Sequence, residues 1–554
     1  MISEQVLKQA VVTTMACFFL ATLNRYNYLL RWMIRVRSKP LEQVVIVGGG
    51  SAGWLTAALV AAAHQTPAGP ALKVTLIESP EVAPVGVGEG TWPGMRETLH
   101  RIGVSENDFF RACDASFKQG SLFVGWVDGS DDDAYYHPFE LPYGYGETHL
   151  AASWQRQHGA VPFADLVSVQ PHLCRAGRAP KQATTPEFAA VANYGYHLDA
   201  ARFGLFLRRH CTEKLGVIHV PDHVVAVHAH DDGDIASVQT KLGGAIEGDL
   251  FIDCSGSQAL LLGKHYGVPL LPQRHILFND RACVVQLGYP EPTSPIASQT
   301  KSTAQEAGWI WDIGLPTRRG IGHVYSSAHT SDAQAEQALL AYVERSGGGA
   351  PMLTAPRKLG FEPGYRDHFW HRNCVAIGQS AGFIEPLEAS ALAMVELSAT
   401  MLSDGMPANR AVMDIVAKRF NDAFTYRWER VIDFLKLHYV LSQRNASQYW
   451  RDHRAPESIP TRLNELLALW RSQPPSRYDL HRIEELFPAA SYQYVMYGMG
   501  LVPEVDRRIR HCEHADLADG YFREAAAMTR KMLAGLPGNR ELIGHIVHHG
   551  MPTR

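Results

Sequence analysis

Residues Val44–Trp54 read VVIVGGGSAGW, an apolar run that stops at a cluster of glycines and continues as Ala/Leu-rich sequence from Ser51 to Ala63. That order predicts a strand, a tight turn and a helix. A second apolar run, Leu72–Ile77, ends at Glu78 and completes a βαβ unit. Gly48, Gly50 and Gly53 have the GxGxxG spacing: the first for the turn, the second for close approach of a pyrophosphate, the third for tight helix–strand packing. The amides of Ser51 and Ala52 at the helix start are suited to a phosphate, and Glu78 to a ribose hydroxyl. A glycine turn with no ligand is the plain alternative, and the strand, helix, second strand and terminal acid together favour a dinucleotide.

Two later stretches extend the pattern. Asp249–Gly256 (DLFIDCSG) is an apolar strand ending near Asp253 in a small polar turn. Asn373–Gly382 (NCVAIGQSAG) predicts a strand, a turn at Gly378 and a helix directly after it. Three strand ends with small residues, so far apart in sequence, suit a long cofactor lying across a sheet, a flavin rather than a nicotinamide. The expected fold class is α/β: a Rossmann-like FAD-binding flavoprotein monooxygenase-type fold with a helical C-terminal substrate-side region. Its expected organisation is an extension over 1–40, a cofactor core over 41–406 and a mainly helical region over 407–554 packed on the core. Ala411–Leu441 and Pro460–Trp470 are the clearest helical segments of that last region.

Composition narrows the partners. With 554 residues, 46% of them hydrophobic and 19% charged, the chain can bury a large core. A formal charge of −4 gives no electrostatic footprint for nucleic acid, so small molecules are the expected partners. Eight cysteines stand singly, without CxxC pairs, as expected of a reducing cytoplasm. His511 and His514 flank Cys512, but no second cluster of ligand type accompanies them, and no metal is expected.

The first 40 residues carry six basic residues against one acidic residue, Glu4. Their apolar run, Ala10–Leu23, is shorter than the roughly 20 residues of a membrane helix, and most of the positive charge follows it, unlike a signal peptide. Membrane contact is therefore expected only through residues 1–40, as a basic amphipathic helix. The favoured alternative is that the segment precedes the true start, which Met33 would supply.

Far downstream stands GWIWDIG (Gly308–Gly314), with Trp309 and Trp311 on one face if it is a strand. Together with GGGSAGW (Gly48–Trp54), VGVGEGTWP (Val85–Pro93), DASFKQG (Asp114–Gly120), YYHPF (Tyr135–Phe139), YGYHLDAARF (Tyr194–Phe203) and FIEPLEAS (Phe383–Ser390), it resembles the flavin-dependent halogenases of the tryptophan halogenase family. The resemblance runs from about Gln43 to Pro503. It implies FADH2- and O2-dependent halogenation of an electron-rich, indole-type aromatic, with a separate flavin reductase as partner and chloride or bromide as co-substrate. A flavin hydroperoxide is attacked by halide, and the hypohalous acid passes through a tunnel to a lysine. The matching lysine is Lys118, and Glu388 matches the carboxylate beside it; an amine can hold the oxidant, and a carboxylate can take the ring proton. Halide maps onto the backbone amides of Ser390 and Ala391, and cofactor contacts onto Gly48, Gly50, Ser51, Ala52, Gly53, Glu78, Gly88, Asp253 and Gly378. Trp309 and Trp311 map onto the tunnel wall, and His137, Phe139 and Phe487 onto the substrate pocket.

The chain departs from the family at Gly314, where the family has proline, and at Phe487, near which the tryptophan that stacks over the substrate aligns. PLEASALAMVELSA resembles the branch whose members accept free indoles or have no known substrate. Two other readings share the cofactor architecture. An aromatic hydroxylase normally has Gly-Asp where this chain has Gly378-Gln379, and a flavin-binding protein without catalysis has no use for Lys118 with Glu388. The sequence carries no sign of oligomeric state.

Overall fold

The computed structural model describes residues 39–81, 88–482, 485–504 and 515–553. Met33, most of the 1–40 extension, Val85–Val87 and the His511–Cys512–His514 group lie outside the described residues.

The βαβ unit forms as the sequence predicts. Gln43–Val47 and Lys73–Glu78 are parallel strands joined through the helix Ser51–Ala63. The run Val44–Val47 is buried throughout, as expected of a strand covered on both faces. These two strands belong to a six-stranded sheet whose order is Ile218–Pro221, Lys73–Glu78, Gln43–Val47, Leu250–Asp253, Cys374–Ala376 and Trp370–His371. All neighbours are parallel except the last pair. The chain leaves Gln43–Val47 toward one side of the sheet and returns on the other at Leu250–Asp253, which opens a crevice at the carboxyl ends of these strands.

A second, seven-stranded sheet carries GWIWDIG in its interior. Gly308–Gly314 is buried at every position and pairs with Thr300–Gln305 and Arg319–Tyr325. Gly322, opposite Trp311, leaves room for the indole: a Cβ there would lie 2.2 Å from the ring. The outer strands of this sheet, Gly120–Val124 and Ala134–Pro138, bring His137 to the interior. A three-stranded antiparallel sheet, Gly88–Gly90, Gly195–Asp199 and Ser116–Lys118, links the two large ones and fixes Lys118 opposite Gly195.

The C-terminal region is helical, with Arg410–Val440 as a single 31-residue helix and Thr461–Trp470 and Ala489–Gly498 after it. It does not stand apart. One continuous apolar cluster runs from Val44 through Trp309 to Ile546, and Pro40 bridges to Asn409 at the start of the long helix. The stretch Asn373–Gly382 differs from its sequence reading. After the strand Cys374–Ala376 comes only a single 3-10 turn, Gly378–Ser380, and a two-residue strand; the helix begins at Ser390. The Ser380 hydroxyl donates to the carbonyls of Asp253 and Ile377, closing the turn in place of a helical ladder. Among the described residues no helix is long and apolar enough to cross a membrane, and the six described cysteines are all free and buried.

Candidate active site

A cavity of about 810 Å3 fills the crevice at the strand ends. Gly48, Gly50, Ser51, Ala52, Glu78 and Gly378 line it, as do Ser390 and Ala391. The helix Ser51–Ala63 starts without a side-chain cap and without an acid in its first turn, so its leading amides and dipole are uncompensated. Gly48 sits at φ +117°, and the position of a Cβ on Gly53 would be 1.9 Å from the Gly48 carbonyl oxygen. Gly53 therefore lies behind the cavity, where it lets the helix close on the turn. Nothing lies within 4 Å of the Cβ position at Gly50, which faces open space.

Ser390 and Ala391 open a second helix at the cavity that lacks a side-chain cap, Ser390–Asp404. The residue before them, Ala389, is held at φ 55°, a left-handed conformation unfavourable for a side-chain-bearing residue. This turn separates two directions: the Ser390 and Ala391 positions face the cavity, while the Glu388 side chain enters a buried chamber with Lys118.

The Lys118 and Glu388 side chains are both buried, and the carboxylate acts electrostatically on the amine. Lys118 is 1% exposed and makes no hydrogen bond or ion pair among the described residues. Its ammonium lies 5.3 Å from the centre of the Phe139 ring. Burial pushes the amine down to about 8, with the negative charge of Glu388 opposing. Glu388 is 3% exposed, and its Oε1 is 2.9 Å from His137 Nδ1 and 3.3 Å from His438 Nε2. Burial alone would raise its carboxyl; the two imidazoles outweigh that and hold it well below the usual carboxylate range. His137 Nε2 reaches Ser491 Oγ at 2.9 Å, and His438 Nδ1 reaches the Phe434 carbonyl at 3.0 Å. The Trp92 indole donates to the Glu388 backbone carbonyl at 2.7 Å. Phe487 stacks on Phe434 with ring centres 3.8 Å apart and meets Trp92 edge-on at 5.0 Å.

Comparison with known proteins matches the chain to one family. Residues 43–514 match the family described as tryptophan halogenase. The chain belongs to the tryptophan halogenase family. It is a flavin-dependent halogenase, an oxidoreductase. It is 33% identical over 482 residues to tryptophan 6-halogenase SttH of Streptomyces toxytricini, an alignment spanning 83% of this chain and 90% of that one. Among solved structures, a tryptophan halogenase from Shewanella frigidimarina NCIMB 400 is 49% identical, covering 93% of this chain and 99% of that one with a TM-score of 0.90. BrvH, a flavin-dependent halogenase from Brevundimonas sp. BAL3, is 32% identical with a TM-score of 0.79, over 91% of this chain and 99% of that one.

The cofactor that this halogenase family implies is FAD, and the cavity residues fit it. The uncapped helix start at Ser51, which supplies amide donors, and the open space at Gly50, which gives room for close approach, suit a pyrophosphate. At the end of its strand Glu78 keeps a buried carboxylate oxygen, Oε2, without a hydrogen bond. His219 Nε2 lies 2.8 Å from that oxygen, but the two are not aligned for a bond. Arg208 Nη1 lies 3.7 Å from the same oxygen, and Glu78 as a residue lines the cavity at the strand end, where a carboxylate suits a ribose hydroxyl.

Other sequence assignments take different positions in the halogenase. Asp253 does not line the cavity: it is fully buried, and its carboxylate accepts from the amides of Ser255, Leu261 and Leu262 and from the Ser255 hydroxyl. Four donors leave it no lone pair for a cofactor, so it shapes the turn. Gly88 lines a separate cavity of about 190 Å3, together with Trp311 and Arg318. Trp309 faces neither cavity; its indole donates to Glu385 Oε2 at 2.6 Å.

The sequence reading did not single out His438, Trp92, Phe434, Ser491 or Glu385. Trp92 and Glu385 stand within motifs already quoted, VGVGEGTWP and FIEPLEAS. His438 and Ser491 carry no local signal, being ordinary polar residues within or at the start of helices.

Proposed function

We propose that the chain halogenates an electron-rich, indole-type ring with reduced FAD, oxygen and chloride or bromide, through hypohalous acid that reaches Lys118 by a tunnel. The observation that carries the reading is the buried pair itself: Lys118 without a hydrogen bond or ion pair among the described residues, and Glu388 flanked by His137 and His438, with the Glu388–Ser390 turn leading to the cofactor cavity. Bound reduced FAD supplies, with oxygen, the two-electron oxidation of halide. The amides of Ser390 and Ala391 hold the halide at the helix start. Lys118 orients the oxidised halogen by hydrogen bond or as a haloamine, and its lowered basicity keeps a neutral amine within reach of neutral pH. Glu388 removes the ring proton after the carbon–halogen bond forms, so that aromatic C–H and hypohalous acid become C–halogen and water. His137 and His438 keep Glu388 ionised for that task.

Several relatives bear the name tryptophan halogenase, which makes the indole ring the shared substrate element. Phe139, beside the Lys118 ammonium, and Phe487, stacked on Phe434, give the surroundings an aromatic character that suits such a ring, and the sequence favours a free indole over the amino acid. Trp309 and Trp311 are assigned to the tunnel wall. A separate flavin reductase delivers the reduced cofactor, and the chain works in the cytoplasm.

The test combines the protein with FAD, a flavin reductase, NADH, bromide and a panel of indoles including tryptophan, read by mass spectrometry for the bromine isotope doublet. Brominated indole is expected. Hydroxylated product alone would overturn the reading.

A further inference from the structure

The strand Gly88–Gly90 stands between the cofactor cavity and the lysine chamber. A Cβ on Gly90 would lie 3.1 Å from Lys118 Nζ and 3.4 Å from the Ala389 Cβ, so this residue is packed against the chamber. Its neighbour Glu89, on the alternate face of the strand, lines the 810 Å3 cavity that also holds Ser390 and Ala391. The Glu89 carboxyl makes no hydrogen bond or ion pair among the described residues, and nothing in the assigned chemistry uses it.

Lys118, whose Nζ stands beside Gly90 on the opposite face of the strand, is the nearby cation without an ion pair among the described residues; most other ionisable groups packed around Glu89 are engaged elsewhere. On the paired strand, Leu198 stands opposite it, flanked by Asp199, which binds Arg318, and His197, which meets Thr300 Oγ1. Behind it, Asp312 pairs with Arg319, and His323 meets the Ala335 carbonyl. On the segment leading into the Ser390–Asp404 helix, Glu388 is held by His137 and His438, and Glu396 within that helix accepts from Thr98. The other ionisable groups lining the cavity are Glu78, Arg208, His219, Asp222, His223 and the Cys254 thiol. None of these charges contributes to its titration: burial alone raises the Glu89 carboxyl, to about 7.

We propose that Glu89 is a proton-carrying contact of the flavin, donating a hydrogen bond as a neutral acid, so that FAD binding takes up a proton at this residue. The inference rests on the assignment of the cavity to FAD. Filling the cavity removes the water that still reaches the carboxyl, which further disfavours its ionised form and ties binding to protonation. The sign follows. Below about pH 7 Glu89 is already protonated and affinity is flat; above it, binding must take a proton from solution and affinity falls.

The experiment is calorimetric titration of the full-length apoprotein with FAD from pH 6 upward, in two buffers of different ionisation enthalpy. Wild type is expected to take up close to one proton above neutrality, with affinity falling about tenfold per pH unit. Glu89→Gln, which keeps a donor but cannot titrate, should bind with a pH-independent affinity and no proton uptake. Infrared difference spectra of the wild type should show a carboxylic-acid C=O band growing as FAD binds, and this reading holds even if the variant misfolds. No proton uptake in the wild type, the same uptake in Glu89→Gln, or no growth of the band overturns the proposal while leaving FAD binding intact. A wild type that binds no FAD overturns the cavity assignment with it.

Discussion

His137 Nδ1 lies 2.9 Å from Glu388 Oε1, both side chains buried, with the two residues 251 positions apart in sequence. The contact gives the histidine a task at the carboxylate as well as any it has against a substrate ring. Removing the imidazole leaves burial free to raise the Glu388 carboxyl. For His137→Leu, the acidic limb of the pH–rate profile should move upward by at least about one pH unit, about 1.4 kcal/mol. Single-turnover bromination measured across pH checks this; an unmoved limb would detach His137 from Glu388.

Lys118 is a cost to the fold. Its amine drops from 10.5 to about 8 through burial, so the folded state binds its proton more weakly than the unfolded state. At neutral pH this opposes folding by an amount on the order of 3 kcal/mol. Between about pH 8 and 10.5 the unfolded chain holds more protons at this residue, so its penalty shrinks as pH rises. Lys118→Met should abolish halogenation, raise Tm at pH 7, and lose much of that advantage at pH 10. Thermal melts at the two pH values, read against wild type, decide it.

Glycine positions in the first turn divide by what surrounds them. A Cβ on Gly53 would lie 1.9 Å from the Gly48 carbonyl oxygen, whereas one on Gly50 meets nothing within 4 Å. Gly53→Ala should cost more than about 2 kcal/mol of stability in denaturant titration. Gly50→Ala should fold with nearly unchanged stability and bind FAD at least about tenfold more weakly, because only the pyrophosphate approaches that space. Equal stability losses in the two variants would contradict the distinction.

Glu385 accepts from Trp309, Tyr439 and Asn279 on the single oxygen Oε2, all within a buried cluster. Replacement by leucine strands three donors, each worth roughly 1–3 kcal/mol when left unsatisfied. Glu385→Leu should therefore lower stability severely, and Glu385→Gln, whose carbonyl can still accept, should retain most of it. With Trp309 loosened, product formed per NADH consumed should fall in any folded leucine variant, measured against hydrogen peroxide released.

The βαβ unit that lines the cavity was legible because its signals are local. A buried β-branched strand, a glycine turn, a helix and a terminal acid lie within Gln43–Glu78, and their spacing is dictated by one ligand group. An acid at a strand end looks the same in sequence whether it faces a ligand or closes its own turn; the Leu261 and Leu262 amides show that Asp253 does the latter. The helix expected after Gly378 fails for a similar reason. The Ser380 hydroxyl takes the Asp253 carbonyl as its acceptor, 127 residues away, and the chain turns instead.

By itself the sequence determined the doubly wound cofactor fold, the flavin-dependent halogenase family and the two residue types, lysine and glutamate, on which its chemistry is proposed to rest. Tertiary structure decided how those residues titrate. The basicity of Lys118 follows from its burial, opposed by the charge of Glu388, that of Glu388 from His137 and His438, and that of Glu89 from burial in the cavity wall. Desolvation and hydrogen bonding are sums over neighbours contributed by distant segments, so no local pattern encodes them, and they exist only once the sheets and the C-terminal helices have closed on one another.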